Sequence, residues 1–212
     1  MRRLPVYLVL DISASMTGES IEAVKNGMQI LVAALRQDPY ALETAALSVI
    51  TFNHEAQQDI PLTELSLFQE PQLHASGQTG LGAALVLLSD CIRREVKKTT
   101  EEQKGDWRPL VFLMTDGLPT DEWKNGLKQF KNQKCGLVVA CAAGPHADSA
   151  MLKELTENVV RLDMADKTSI QAFFKWVSSS ISVSSTKVET QAKETTGITE
   201  LPPPPPEVNI VA

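Results

Sequence analysis

Three short polar segments of the sequence carry side chains that could act together on one ligand. They read D-I-S-A-S at residues 11–15, S-G-Q-T at 76–79 and T-D-G at 115–117. Their hydroxyls and two carboxylates form an all-oxygen donor set, which suits a hard divalent cation such as Mg²⁺ and disfavours soft metals. The sequence therefore predicts a cation site if the fold brings the three segments together.

Such a site would bind a divalent cation and leave it able to accept one more ligand. Two carboxylates roughly balance a divalent ion, whereas neutral hydroxyl ligands leave it electrophilic. We therefore expect the ion to accept a carboxylate or phosphate of another molecule as its last ligand. No obvious general base accompanies the donors, so the pattern favours a docking point over an enzyme.

The elements that must position these segments follow from the apolar pattern. Short, continuous apolar runs at 6–10, 47–52, 110–114 and 137–141 predict strands buried on both faces. Residues 57–62 are expected to form an antiparallel edge strand and residues 159–162 a further strand. Apolar spacings of three and four predict helices over 21–35, 81–96, 123–130, 151–155 and 170–181. The alternation predicts an α/β three-layer sandwich with a mainly parallel sheet.

This architecture would gather the polar segments at one edge of the sheet. Asp11 and Asp116 each follow a predicted buried strand, and Thr79 stands at the entry to a predicted helix. Ligands of open α/β sheets bind in the crevice beyond the carboxyl ends of the strands. We therefore expect the donors to lie close together there.

Helix capping is the alternative role for several of these residues. Ser13 and Ser15 could cap the helix that follows them. Thr120 or Asp121 is expected to cap the helix over 123–130, and the alternative for Asp121 is an acid that supports the metal ligands from behind. Asp148 and Thr168 are expected to cap the last two helices.

Charge and cysteine content narrow the class of protein. The net charge is -6 with a pI near 5.2, which leaves no basic footprint for nucleic acid or an anionic membrane. The apolar runs are far shorter than the roughly 20 residues that cross a bilayer. Cys91, Cys135 and Cys141 form no C-x-x-C pair, which favours a reducing, cytoplasmic location.

The pattern changes near Ser182, and we expect a domain over 1–182 followed by a linker and proline-rich tail over 183–212. The serine cluster over 178–185 could be a flexible exit from the last helix or a kinase substrate. Five consecutive prolines at 202–206 predict polyproline II structure. The apolar residues behind them could dock on a groove or edge strand, or the tail could be an inert spacer.

Residues 4–182 resemble the von Willebrand factor A domain with its metal-ion-dependent adhesion site (MIDAS), on the strength of the D-I-S-A-S, S-G-Q-T and T-D-G segments in that order. One departure is Gln78, where many relatives carry a second glycine. The resemblance implies a Rossmann-like sheet flanked by helices and a non-catalytic role in protein binding. It also implies a bound Mg²⁺, Mn²⁺ or Ca²⁺ that an acidic side chain of a partner protein completes. The implied metal ligands are Asp11, Ser13, Ser15, Thr79 and Asp116.

Within that family, the L-P-P-P-P-P tail resembles the TerY-like bacterial subgroup associated with tellurium resistance. That resemblance implies a serine/threonine kinase and a phosphatase as partners and a role in tellurite or stress response. A different class of function is a Mg²⁺-dependent phosphohydrolase with Asp11 as nucleophile. Such enzymes need a second carboxylate two residues on, where this chain has Ser13.

Overall fold

The continuous apolar runs form the centre of one seven-stranded sheet. The computed structural model describes residues 2–211 and orders the strands β3-β2-β1-β4-β5-β6-β7. Five of them run parallel, and β3 and β7 lie antiparallel at the two edges. The strands are β1 Leu4–Asp11, β2 Ala45–Phe52, β3 Ala56–Glu64, β4 Leu110–Thr115, β5 Leu137–Ala143, β6 Val159–Leu162 and β7 Asn209–Ile210.

Helices cover both faces of this sheet. Val6 and Leu8 of β1 point into the core shared with α1, α2 and α6, whereas Tyr7 and Val9 point into the core shared with α3, α4 and α5. The predicted three-layer α/β class is therefore confirmed, with a second antiparallel edge strand that the sequence pattern did not reveal. The helices are α1 Glu19–Gln37, α2 Pro39–Thr44, α3 Leu81–Glu95, α4 Trp123–Phe130, α5 Ser149–Leu155 and α6 Lys167–Gln191.

Two close helix contacts depend on glycine. A β-carbon at Gly27 of α1 would lie 2.4 Å from a ring atom of Phe174, so its absence lets α6 pack closely on α1. A β-carbon at Gly126 of α4 would lie 2.3 Å from the carbonyl oxygen of Gly82 in α3. The second contact fixes the first turn of α3 against α4, immediately after the S-G-Q-T segment.

The helix caps agree with the sequence in one case and differ in another. Asp148 caps α5, because its carboxylate accepts hydrogen bonds from the backbone N–H groups of Ala150 and Met151. The prediction that Thr168 caps α6 was wrong. Asp166 holds that position and accepts from the N–H of Ser169 over 2.8 Å.

The last helix continues through Ser182 to Gln191, so the residues predicted to begin a linker are helical. The serines there are mostly buried. Several of their hydroxyls bond to helix carbonyls, as Ser180 does to Trp176 O at 2.8 Å, or to the tail, as Ser184 does to Thr195 at 2.9 Å, whereas the buried Ser185 hydroxyl has no partner among residues 2–211. A kinase could not reach these buried hydroxyls in the folded state. The division into 1–182 and 183–212 stays a prediction.

The tail docks on the body of the protein instead of extending from it. Leu201 and Val208 are buried, and the indole N–H of Trp176 donates to the carbonyl oxygen of Pro202 over 2.8 Å. Residues 209–210 then pair with β6 as strand β7. Of the two alternatives for the tail, docking on an edge strand is the one observed. Within residues 2–211, none of the helices is long and apolar enough to cross a membrane.

Candidate metal centre

The turn that ends β1 holds Asp11 in a fixed orientation. The side chain is 1% exposed; its Oδ1 accepts a hydrogen bond from the N–H of Ser13 at 2.8 Å, and its Oδ2 accepts one from the hydroxyl of Thr115 at 2.6 Å. Thr115 is the last residue of β4, the neighbour of β1 in the sheet. The carboxylate of Asp11 is therefore tied to both of the central strands.

A second set of contacts joins the D-I-S-A-S turn to the T-D-G loop. The hydroxyl of Ser15 donates to Oδ1 of Asp116 over 2.7 Å, and the hydroxyls of Ser13 and Ser15 lie 3.1 Å apart. Neither serine caps α1, whose N-cap is Gly18 with no side-chain hydrogen bond. The capping alternative for these serines was therefore wrong, and their hydroxyls belong to the polar cluster.

Thr79 reaches the same cluster from the loop before α3. This threonine is 6% exposed, and a β-carbon at Gly117 would lie 3.6 Å from its hydroxyl oxygen. The loop is held on the D-I-S-A-S turn by two backbone hydrogen bonds, from Ala14 N to Gly77 O at 2.9 Å and from Ser76 N to Ile12 O at 2.8 Å. The structure thus brings all five predicted residues to one edge of the sheet.

Two further residues clamp the Thr79 loop to the T-D-G loop. Thr120 donates to the carbonyl oxygen of Thr79 from its N–H at 2.9 Å and from its hydroxyl at 3.2 Å. Asp121 accepts hydrogen bonds from the N–H groups of Gly82 and Ala83 at 3.1 and 3.0 Å. Asp121 therefore caps α3, and the prediction that it or Thr120 caps the helix immediately following was wrong. Only the fold could show this, because the partner helix lies far away in sequence.

The two carboxylates of the cluster are buried without a neutralising ion pair in the part of the chain that the structure describes. Burial raises the pKa of Asp11 above its ordinary value, against the hydrogen bonds from Ser13 and Thr115, and the charge of Asp116 adds to the rise. Burial likewise raises the pKa of Asp116, against the hydrogen bond from Ser15 and the charge of His146. Across residues 2–211, neither carboxylate forms an ion pair with a lysine, arginine or histidine.

This donor set fits a hard divalent cation best. In the described part of the chain, no group of three or more His, Cys, Asp or Glu side chains could hold a metal. The cluster instead combines two buried carboxylates with serine and threonine hydroxyls, which are the oxygen donors that Mg²⁺ and Ca²⁺ take. Buried carboxylates without a counter-ion are costly, and a cation would remove that cost.

Comparisons with known proteins agree with this fold. A von Willebrand factor A protein from Catenulispora acidiphila has 13% identity and a TM-score of 0.65, with 85% of this chain and 43% of that chain covered. Proximal thread matrix protein 1 from the mussel byssus has 17% identity and a TM-score of 0.61, covering 84% and 48%. Another structure of that mussel protein has a zinc-occupied MIDAS motif, at 19% identity and a TM-score of 0.56, covering 84% and 46%.

The chain thus spans less than half the length of each of these solved structures. A comparison with curated proteins found no matching sequence. The model of the von Willebrand factor type A domain matches residues 6–176, which extend from β1 into α6. Because that match covers most of the sequence, the chain belongs to the von Willebrand factor type A domain family.

Proposed function

We propose that this protein is a non-catalytic, metal-dependent interaction module that binds an acidic side chain of a partner protein through its MIDAS ion. Domains of this family generally act as protein-interaction modules. The observation that carries the proposal is the pair of buried carboxylates, Asp11 and Asp116, which are joined to hydroxyls and form no ion pair within residues 2–211. The ligands would be Asp11, Ser13, Ser15, Thr79 and Asp116.

The choice of metal follows from the donors. All five are oxygen atoms, so Mg²⁺ is the expected ion, with Mn²⁺ or Ca²⁺ as substitutes. When bound, the ion supplies an electrophilic position that favours a carboxylate oxygen. The zinc in the mussel protein supports a divalent ion at the equivalent motif, although hydroxyl-rich sites favour harder ions.

The surface around the cluster supports a protein partner. Leu118, two residues after Asp116, exposes 56% of its surface. Its side chain is available to contact a partner protein whose carboxylate reaches the cluster. A partner would therefore combine a carboxylate for the ion with apolar contacts at the rim.

The proposal of a non-catalytic role is supported by the residue at position 13. A phosphohydrolase with Asp11 as nucleophile needs a carboxylic acid there to protonate the leaving group, and a serine hydroxyl is too weak an acid for that step. The Ser13 hydroxyl lies beside that of Ser15, within the cluster. Position 13 therefore fits a ligand of a cation better than a general acid.

The proposed subgroup, with its partners, depends on the resemblance of the proline-rich tail. Its resemblance to the TerY-like subgroup supports a cytoplasmic adaptor that acts with a serine/threonine kinase and a phosphatase in tellurite or stress response. The three cysteines are free, which fits a reducing compartment. The donor set contains no cluster of soft ligands for tellurium, so we propose that any role in resistance is indirect.

Affinity capture from cells tests the proposal and identifies the partner. Wild-type protein should retain a partner in Mg²⁺ and release it in EDTA, and the Asp11→Ala and Thr79→Ala variants should capture none. The exposed Asp163→Ala variant, at the same edge of the sheet, should behave like wild type. Undiminished capture in EDTA and in both site variants would contradict a metal-bridged contact.

A further inference from the structure

A second candidate site lies at the opposite edge of the sheet, where the parallel strands begin. A cleft of about 760 Å³ opens there between the end of α3, the segment before β4 and the turn before β5. This volume is within the roughly 300–1,000 Å³ of typical ligand pockets. Trp107 and Pro109 line it together with Ile92 and Val96, so the cleft has an apolar component.

The charged lining of this cleft is mostly positive, although the whole chain carries a net charge of -6. Its two acidic residues are Asp106, whose side chain is 2% exposed and paired with Arg3, and Glu194. The cleft therefore concentrates positive charge, although the net charge of the chain is negative. The basic residues of the lining are Arg2, Arg93, Lys97, Lys98, Arg108 and Lys134.

Arg2 and Arg108 are each held through Nε, which leaves their terminal guanidinium N–H groups available to a ligand. The Nε of Arg2 donates to Gly105 O over 2.7 Å, and its guanidinium lies 3.5 Å from the ring centre of Trp107. The Nε of Arg108 lies 3.1 Å from Oε2 of Glu194. Within the described residues, no hydrogen bond uses the terminal nitrogens of either side chain, so each can present a fork to an anion.

Helix dipoles explain only part of this charge. Lys97 and Lys98 follow the carboxyl end of α3, where a cation is favoured, and Lys134 follows α4. None of these three lysines pairs with a carboxylate in the part of the chain described. Arg2 and Arg108 precede strands, so a dipole does not account for them.

The chain itself already places one carboxylate in the cleft. Glu194, from the segment after α6, accepts a hydrogen bond from the backbone N–H of Arg108 over 3.0 Å and also pairs with its guanidinium. From this contact and the charge of the lining, we propose that the cleft binds an acidic peptide segment of a partner protein. The carboxylates of that segment pair with Arg2, Lys97, Lys98 and Lys134, and its apolar atoms contact the half-buried Val96.

This site is independent of the proposed metal centre. β1 and β4 run from the cleft to the opposite edge, where Asp11 and Asp116 lie. Binding at the cleft therefore needs no metal ion. The protein would present two surfaces for acidic partners, one dependent on a cation and one on arginine and lysine.

Fluorescence anisotropy with a fluorescein-labelled hexaglutamate peptide in EDTA tests the proposal. Charge reversal at two of the lysines, Lys97→Glu with Lys98→Glu, should weaken binding about tenfold or more, since the introduced carboxylates repel the like-charged carboxylates of the peptide. Lys167→Glu with Lys175→Glu makes the same charge change at exposed positions on α6, outside the cleft, and should cost less than about twofold. Glu194→Gln should tighten binding, because it frees Arg108.

Three outcomes would overturn the proposal. Equal weakening by both charge-reversed pairs would show an effect of net charge alone, and loss of binding in Asp11→Ala would place the peptide at the other edge. Tight binding of inorganic tripolyphosphate with none of the peptide would identify a small-anion site instead. Circular dichroism confirms that each variant is folded.

Discussion

The hydroxyl of Ser15 donates a hydrogen bond of 2.7 Å to Oδ1 of Asp116, although 101 positions separate the two residues. The bond joins the loop after β1 to the loop after β4, and Thr115 joins the same two strands through Asp11. Two carboxylates are thereby held in a buried cluster where ionisation is costly. A bound cation would turn that cost into binding free energy.

The first prediction concerns Asp116→Asn. The amide keeps an oxygen that can accept from Ser15 and removes a buried charge, so the variant should be at least as stable as wild type in EDTA. Excess Mg²⁺ should stabilise wild type by about 2.7 kcal/mol at a hundredfold excess over Kd, and the variant hardly at all. Thermal unfolding with and without Mg²⁺ measures both effects.

Asp163→Asn is the matched control for that experiment, because Asp163 lies in the loop after β6 and its side chain is 79% exposed. Its response to Mg²⁺ should equal that of wild type. An equal rise in the unfolding temperature of Asp116→Asn would remove this carboxylate from the metal site.

The second prediction concerns the clamp formed by Asp121. Asp121→Ala removes the cap of α3 and should destabilise the metal-free protein by about 1 kcal/mol. It should also weaken the stabilisation by Mg²⁺, because the loop that carries Thr79 loses a support. Asp38→Ala removes a comparable cap, that of α2, and should cost similar stability while leaving the metal response intact. Equal metal responses in the two variants would assign Asp121 a purely structural role.

Sequence patterns predicted the sheet centre and the site for one physical reason. Buried parallel strands read as continuous apolar runs, and the residues that end them must meet at one edge, as Asp11 and Asp116 do. The clamp by Asp121 was not predictable, because a cap supplied to another helix leaves no local signature. The sequence left open whether the tail docks or is an inert spacer for a similar reason: β7 is only two residues long and its partner β6 lies about 50 residues earlier.

The third prediction is a pH dependence of stability from Asp106. Burial opposes ionisation of this carboxyl, but hydrogen bonds from Arg3 and from the N–H of Lys97 outweigh it and lower its pKa below the ordinary value. A lowered folded-state pKa stabilises the protein above the unfolded pKa of roughly 3.9, and this contribution is lost as the pH falls through the folded value.

Asp106→Asn should therefore lose about 1–3 kcal/mol of stability near neutral pH and much less in acid. Urea unfolding of both proteins across the acidic range gives the comparison. Asp90→Asn is the control, since the Asp90 side chain is 43% exposed and its pair with Arg93 lies on the helix surface. A constant difference between wild type and Asp106→Asn at every pH would show that the loss is not electrostatic.

The fourth prediction concerns the thiols. Burial raises the pKa of Cys91 to about 11 and that of Cys135 to about 12, and it raises the pKa of Cys141 as well. The thiolate is the reactive form, so all three should react slowly with a disulfide reagent near neutral pH. Reaction should become fast on addition of denaturant. A fast phase from Cys91 or Cys141 in the native protein would contradict the buried positions of these two side chains, whereas Cys135 is half-buried.

The last prediction separates local release of the tail from global unfolding. Val208 is 2% exposed and anchors the residues that form β7, whereas Ile210 in that strand is 50% exposed. Val208→Ala should cost about 1–3 kcal/mol of local packing and speed hydrogen exchange at the amide of Val211, which donates to Val159 O over 2.9 Å. Amides of β1 should stay protected, because the sheet centre does not depend on the tail. Ile210→Ala should leave exchange at Val211 close to wild type, so similar acceleration in both variants would show that Val208 is not the anchor.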